Sequence, residues 1–136
     1  MLSPIEEELI QAAKQARTCA YVPYSNFPVG SAVRTGSGAI FHGCNIENGS
    51  YGLTMCAERV ALCSALASGE RAITHVALVA DVIEMISPCG ACRQVLWELA
   101  PGAQLLMATV DGAVQRATIR DLLPFAFKLH RRDNDQ

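Results

Sequence analysis

The chain is predicted to fold as a three-layer α/β sandwich, with helices on both faces of a mixed five-stranded sheet. Three observations carry this. Helix-spaced apolar stripes alternate with short strand-like runs. Two pairs of those runs are joined by glycine-rich turns. The resulting order reads α-β-β-α-β-α-β-β-α. Of the 136 residues, 51% are hydrophobic and 18% are charged, a balance that suits one buried core and excludes disordered or fibrous classes. No linker, repeat or low-complexity stretch interrupts the pattern, so a single domain is expected over residues 1–136.

Each element has a local cause. Ser3-Pro4-Ile5-Glu6 reads as a capping box, with proline at the first helical position. Behind it Ile5, Leu9, Ala12, Ala13, Ala16 and Ala20 form a helical stripe that must stop before Pro23. Strands at residues 29–35 and 39–44 flank Gly36-Ser37-Gly38, a turn tolerant of positive φ. Residues 45–54 carry Asn, Gly and Ser and read as a loop. A second helix starts near Cys56, runs through Ala61, Leu62, Ala65 and Leu66, and stops at Gly69. Residues 75–80 read as a buried strand. Ser87-Pro88 opens a third helix through Val95, Leu96 and Leu99, which stops before Pro101-Gly102. Strands at residues 104–110 and 113–117 flank Asp111-Gly112, a tight-hairpin dipeptide. A short helix over residues 119–123 follows, and residues 131–136 read as a frayed polar tail.

Charge and composition narrow the function. The net charge of −2 lacks the basic surplus that a phosphate backbone demands, so no nucleic-acid partner is expected. The longest apolar runs, such as Val76-Ala77-Leu78-Val79-Ala80, fall far short of the roughly 20 residues that span a bilayer. The acidic N-terminus lacks the layout of a signal peptide, so a cytoplasmic protein without a membrane partner is expected. In that setting the six cysteines (19, 44, 56, 63, 89 and 92) read as metal ligands or free thiols rather than disulfides.

The chemistry concentrates in Cys56-Ala57-Glu58 and Pro88-Cys89-Gly90-Ala91-Cys92. Three thiolates suit tetrahedral zinc and leave its fourth position open to water. Cys89 and Cys92 share one helix face, and Cys56 sits at another helix start, so two helix dipoles favour the thiolate forms. Three thiolates around Zn²⁺ leave a formal charge of −1, which opposes activation of water. Arg59, one turn beyond Cys56, can offset it by donating to sulfur; the competing reading is a solvated helix residue. A structural zinc site needs no carboxylate, whereas a hydrolytic one needs a proton carrier, and Glu58 stands in position to be one. Without the cysteines, Glu58 would read as a first-turn acid favoured by the helix dipole. Cys19 reads as a small core residue. Cys44 is a weak candidate for a fourth ligand, which would close the open position.

Taken together, these motifs resemble cytidine deaminases of the small homotetrameric class. The resemblance covers nearly the whole chain: Tyr24-Ser25-Asn26-Phe27-Pro28-Val29-Gly30, Gly43-Cys44-Asn45-Ile46-Glu47-Asn48, Cys56-Ala57-Glu58-Arg59, Ser87-Pro88-Cys89-Gly90-Ala91-Cys92-Arg93-Gln94-Val95-Leu96 and Leu122-Leu123-Pro124-Phe125-Ala126-Phe127. It implies a cytidine-deaminase-like fold and one zinc ion per subunit held by Cys56, Cys89 and Cys92. The implied reaction is hydrolytic deamination of free cytidine and 2′-deoxycytidine, in pyrimidine salvage. Water adds at C4, Glu58 protonates N3, and ammonia leaves. Asn45 and Glu47 then match residues that hydrogen-bond the ribose hydroxyls, although alone they read as ordinary loop polars. Phe27 matches an aromatic wall of the base pocket, and the main chain at Ala57 meets the pyrimidine edge. Phe127 matches an aromatic that reaches a neighbouring subunit's site, so assembly completes the pocket. Two positions depart from the pattern: Gly49, and Phe125 at a place where small or polar residues are usual. The alternatives are a deaminase of another aminopyrimidine such as blasticidin S, a polynucleotide editor, and a structural zinc module in which Glu58 is dispensable.

Overall fold

The computed structural model describes residues 1–130, and the tail expected over residues 131–136 lies outside them. The elements follow the predicted order: α1 (Pro4–Arg17), β1 (Val29–Thr35), β2 (Ile40–Cys44), α2 (Ala57–Ala67), β3 (Ile73–Ala80), α3 (Gly90–Leu99), β4 (Gln104–Thr109), β5 (Val114–Thr118) and α4 (Ile119–Leu122). The strands form one sheet in the order β2-β1-β3-β4-β5. β3 and β4 run parallel and the other neighbours antiparallel, so the sheet is mixed, as expected.

Alternation along the strands divides the core into two layers. Ala32, Ala77, Val79, Leu106 and Ala108 meet Leu9, Ile10 and Ala13 of α1. On the opposite face Val33, Val76, Leu105 and Met107 meet Ala61, Leu62 and Ala65 of α2 and Leu96 of α3. Each fully buried Leu or Val in these layers contributes about 1.5–3 kcal/mol relative to exposure. The two clusters therefore hold the helices to the sheet.

The capping box forms: Ser3 Oγ accepts from the Glu6 amide at 3.2 Å, and Glu6 Oε2 accepts from the Ser3 amide at 2.8 Å. The buried stripe behind it is rotated from the expected one, with Glu6 buried and Ile5 exposed. Arg116 on β5 is the reason, because it donates to both Glu6 carboxylate oxygens at 2.8 Å. With its charge paired, the carboxylate enters the interface; Arg116 foremost, and the Ser3 amide next, hold its pKa down to about 2. α1 also ends earlier than the stripe predicts. The Thr18 hydroxyl donates to the Gln15 carbonyl at 2.7 Å and the Cys19 amide to that of Ala16, tightening the last turn. Cys19 is left exposed instead of entering the core.

Two glycines set how closely helix and strand approach. A Cβ on Gly30 would collide with the Ala13 carbonyl and the Arg17 amide, and one on Gly43 with the Ala57 carbonyl and the Ala61 amide. The backbones of α1 and α2 thus rest directly on β1 and β2. Register completes the placement. Val29 pairs with Ala80 and Gly30 with Cys44, so the start of β1 and the ends of β2 and β3 share one end of the sheet. The segments leading into α2 and α3 both leave from that end, where open α/β sheets favour ligand sites.

Candidate active site

Between β2 and α2 the chain is far more ordered than its loop composition suggests. Ile46 and Met55 exchange two backbone hydrogen bonds of 2.9 Å. On the other side the Tyr21 amide donates to the Asn45 carbonyl at 3.0 Å, and the Tyr21 carbonyl accepts from Glu47 at 2.9 Å. These bridges, with a single 3₁₀ turn at Tyr51–Leu53, deliver Cys56 to the N-cap of α2. The third helix starts two residues later than the Ser87-Pro88 signal predicts, with Cys89 as its N-cap. The Cys89 sulfur accepts from the Cys92 amide at 3.5 Å and so does the capping that was expected of Ser87.

The three sulfurs of Cys56, Cys89 and Cys92 all lie within 4.8 Å of one another, and those of Cys56 and Cys89 are 4.0 Å apart. Tetrahedral zinc with bonds of about 2.3 Å requires sulfurs roughly 3.8 Å apart, so the donor set fits that ion. Cys44 and Cys63 stand outside this group. The electrostatics agree with the fit. Hydrogen bonding from Cys92, and next from Arg59, brings the Cys56 thiol down to about 5 against the effect of burial. Cys92, which gives that hydrogen bond from a buried position, is pushed up. A dication held by the three sulfurs would resolve this competition by letting all three ionise.

Arg59 Nη2 donates to Cys56 Sγ at 3.4 Å and to the Thr54 carbonyl at 3.0 Å. Its guanidinium is thus a sulfur partner rather than a solvated helix charge. Glu58, in the first turn of α2, is only 4% exposed. Burial foremost, with the neighbouring Cys56 charge adding to it, raises its pKa. A first-turn acid that served only the helix dipole would remain in solvent; this one is desolvated beside the sulfurs.

The polar residues after β2 hold the segment before β1. Asn45 Oδ1 accepts from the Val29 amide at 2.9 Å, and its Nδ2 donates to the Phe27 carbonyl at 2.8 Å. Glu47 Oε1 accepts from the amides of Tyr24 at 3.0 Å and Ser25 at 3.2 Å. The Ser25 side chain, then these amides, keep the Glu47 carboxyl below its ordinary range. Phe27, between those anchors, is 39% exposed and so stands outside the buried core. Tyr24, Glu47, Asn48, Tyr51 and Thr54 line an adjoining hollow of about 390 Å³, with the Tyr24 and Tyr51 rings edge to face at 6.3 Å. Sequence reasoning missed Tyr51 and Thr54, because nothing in a loop of Asn, Gly and Ser distinguishes a wall from a tip. Ala57 is buried where α2 meets Gly43. Phe127 is 69% exposed and points largely to solvent, while its carbonyl accepts from Gln94 at 3.3 Å.

Comparison with known proteins agrees with this site. Residues 3–108 match the family described as "Cytidine and deoxycytidylate deaminase zinc-binding region". The chain is similar to a cytidine deaminase of Sporosarcina psychrophila, 48% identical over 122 residues that cover 89% of this chain and 90% of the relative. It is likewise similar to one from Halalkalibacterium halodurans, 49% identical over 120 residues that cover 88% and 91%. The fold superposes on the crystal structure of cytidine deaminase from Burkholderia pseudomallei with a TM-score of 0.88 at 50% identity, covering 93% of this chain and 100% of that one. A blasticidin-S deaminase of Bacillus cereus is more distant, 29% identical over 134 residues covering 93% and 94%. With three sulfurs converging inside the matched region, the chain belongs to the cytidine and deoxycytidylate deaminase zinc-binding family.

Proposed function

We propose that this protein deaminates free cytidine and 2′-deoxycytidine hydrolytically, releasing ammonia, and serves pyrimidine salvage in the cytoplasm. The observation that carries this reading is the buried carboxyl of Glu58 beside the three convergent sulfurs. Cys56, Cys89 and Cys92 hold one zinc ion per subunit. When bound, the metal supplies the Lewis acidity that lets water act as a nucleophile near neutral pH. Glu58 takes a proton from the attacking water and passes it to N3 of the pyrimidine; it then takes the second proton from the new C4 hydroxyl and hands it to the amine, so that ammonia leaves as the C4 carbonyl forms. Burial raises the Glu58 pKa above the ordinary carboxylate range, the direction that favours a group able to hold a proton. Arg59 draws charge from the Cys56 sulfur and so counters the surplus of three thiolates.

The remaining residues bind and orient the nucleoside. Phe27 walls the base and the Ala57 main chain meets the pyrimidine edge. Asn45 and Glu47 hold the ribose through the polar capacity that their bonds to the Phe27 segment leave over, including Glu47 Oε2. A carboxylate here also disfavours a 5′-phosphate that lies close to it, selecting nucleosides over nucleotides. Phe127, largely exposed on its own protomer, completes the pocket of a neighbour in a homotetramer. The distant likeness to a blasticidin-S deaminase keeps that substrate as the second candidate.

Ultraviolet-monitored deamination of cytidine, deoxycytidine, cytidine monophosphate and blasticidin S tests the reading. The two nucleosides should turn over quickly and the nucleotide poorly. Turnover of blasticidin S alone would overturn the assignment. Light scattering should find a tetramer, and a fully active monomer would remove the role given to Phe127.

A further inference from the structure

Arg93 lies one residue beyond Cys92, and neither the metal cluster nor the pocket walls employ it. Its guanidinium makes three hydrogen bonds. Nε donates to the Pro88 carbonyl at 2.8 Å, Nη2 to the Ser87 hydroxyl at 2.9 Å, and Nη1 to the Leu122 carbonyl at 2.8 Å. The first two grip the turn immediately before Cys89. The third reaches 29 residues along the chain to the end of α4. The next residue on α3, Gln94, donates from Nε2 to the Phe127 carbonyl at 3.3 Å. Two adjacent side chains on one helix thus pin both ends of the strap formed by residues 122–127.

The strap itself is shaped to fit this span. Pro124 fixes one backbone dihedral, and Phe125, fully exposed, takes a φ of +53°, the left-handed value that turns the chain back toward α3. The Phe127 side chain is 69% exposed among the described residues, so its position depends on the two ends of the strap.

We propose that Arg93 is a positioning residue that locks the strap presenting Phe127 to the turn presenting Cys89. It sets the metal centre and the aromatic offered to a neighbouring subunit in one fixed relation. This rests on the reading of Phe127 as a substrate-facing group of the assembled enzyme. A planar fork of five donors suits three acceptors in different directions, and a lysine ammonium at this position cannot span them. An Arg93 that served folding alone would change stability and leave nucleoside binding untouched.

The test is a double-mutant cycle on KM for cytidine, run alongside zinc release to a chromogenic chelator. Phe127→Ala should raise KM by about 2- to 10-fold, as expected for loss of one aromatic contact. Arg93→Gln should raise KM similarly, and the rise should vanish in the Phe127→Ala background, since a residue acting through Phe127 has nothing left to position. Arg93→Gln should also speed zinc release by about tenfold, whereas Gln94→Ala should raise KM and leave release unchanged. Should Arg93→Gln fold poorly, Arg93→Lys keeps the charge without the fork and carries the same expectations.

Additive effects of Arg93 and Phe127 on KM would overturn the proposal, as would zinc release at the wild-type rate. A Phe127→Ala enzyme with unchanged KM would overturn the reading of Phe127 itself. That failure is distinguishable, because it appears before Arg93 is altered.

Discussion

The first helix and the two helices on the opposite face begin in different ways. At α1 a serine and a glutamate satisfy one another's amides, and the glutamate is paired again by Arg116. At α2 the N-cap is Cys56, whose side chain makes no capping hydrogen bond; at α3 it is Cys89, whose sulfur accepts one amide at 3.5 Å. Serine and cysteine differ here by one atom, yet the consequences diverge. An oxygen at the N-cap closes the helix end and contributes stability. A sulfur caps weakly and leaves the positive helix end available to stabilise a thiolate and, through it, a metal. The α1 start is therefore closed by oxygen, whereas the α2 and α3 starts present sulfurs that converge with that of Cys92.

Substitutions at the two kinds of helix start can break or sharpen this contrast. The largest effect is expected at the metal end. Arg59→Gln removes the donor to Cys56 and should lower turnover or zinc affinity by about 10- to 100-fold with little change in Tm; equal losses in stability and activity would show that Arg59 is structural. A smaller effect is expected at Ser3. Ser3→Ala should cost about 1 kcal/mol of stability by denaturant titration while kcat and KM stay unchanged. A third effect is a dependence on acid. The Glu6 carboxyl sits near 2 in the fold against an ordinary 4.5, so its contribution is complete above the unfolded value and fades as pH falls toward 2. Urea midpoints measured between pH 5 and 2.5 should fall more steeply for the wild type than for Glu6→Gln, and parallel slopes would remove the pair's role.

Most of the architecture was legible because its signals are local. The capping box, the Asp111-Gly112 turn and the alternating strands needed no tertiary information, and all nine predicted elements formed. Part of what was missed depends on distant partners. Glu6 is buried because of Arg116, 110 residues away, and no helical stripe reveals that. The start of α3 was misplaced because Ser-Pro is the stronger signal on paper, whereas the sulfur of Cys89 does the capping in the fold. In the site, the convergence of Cys89 and Cys92 was readable from their spacing, and that of Cys56 with them from the combined motif. Asn45 and Glu47 were not, without the family resemblance: their partners are backbone amides and carbonyls of residues 24–29, and backbone groups leave no mark on sequence. Phe125 takes a positive φ, a backbone conformation that nothing in the sequence assigned to it.

The central claim is that Glu58 carries protons for a reaction set up by the three sulfurs. The most direct measurement is cytidine deamination by wild type and Glu58→Gln, followed by ultraviolet absorbance with zinc quantified in both proteins. The account predicts that Glu58→Gln keeps its full zinc content and loses turnover, because the amide preserves shape and cannot shuttle a proton. A zinc-replete Glu58→Gln enzyme deaminating cytidine at the wild-type rate would contradict it.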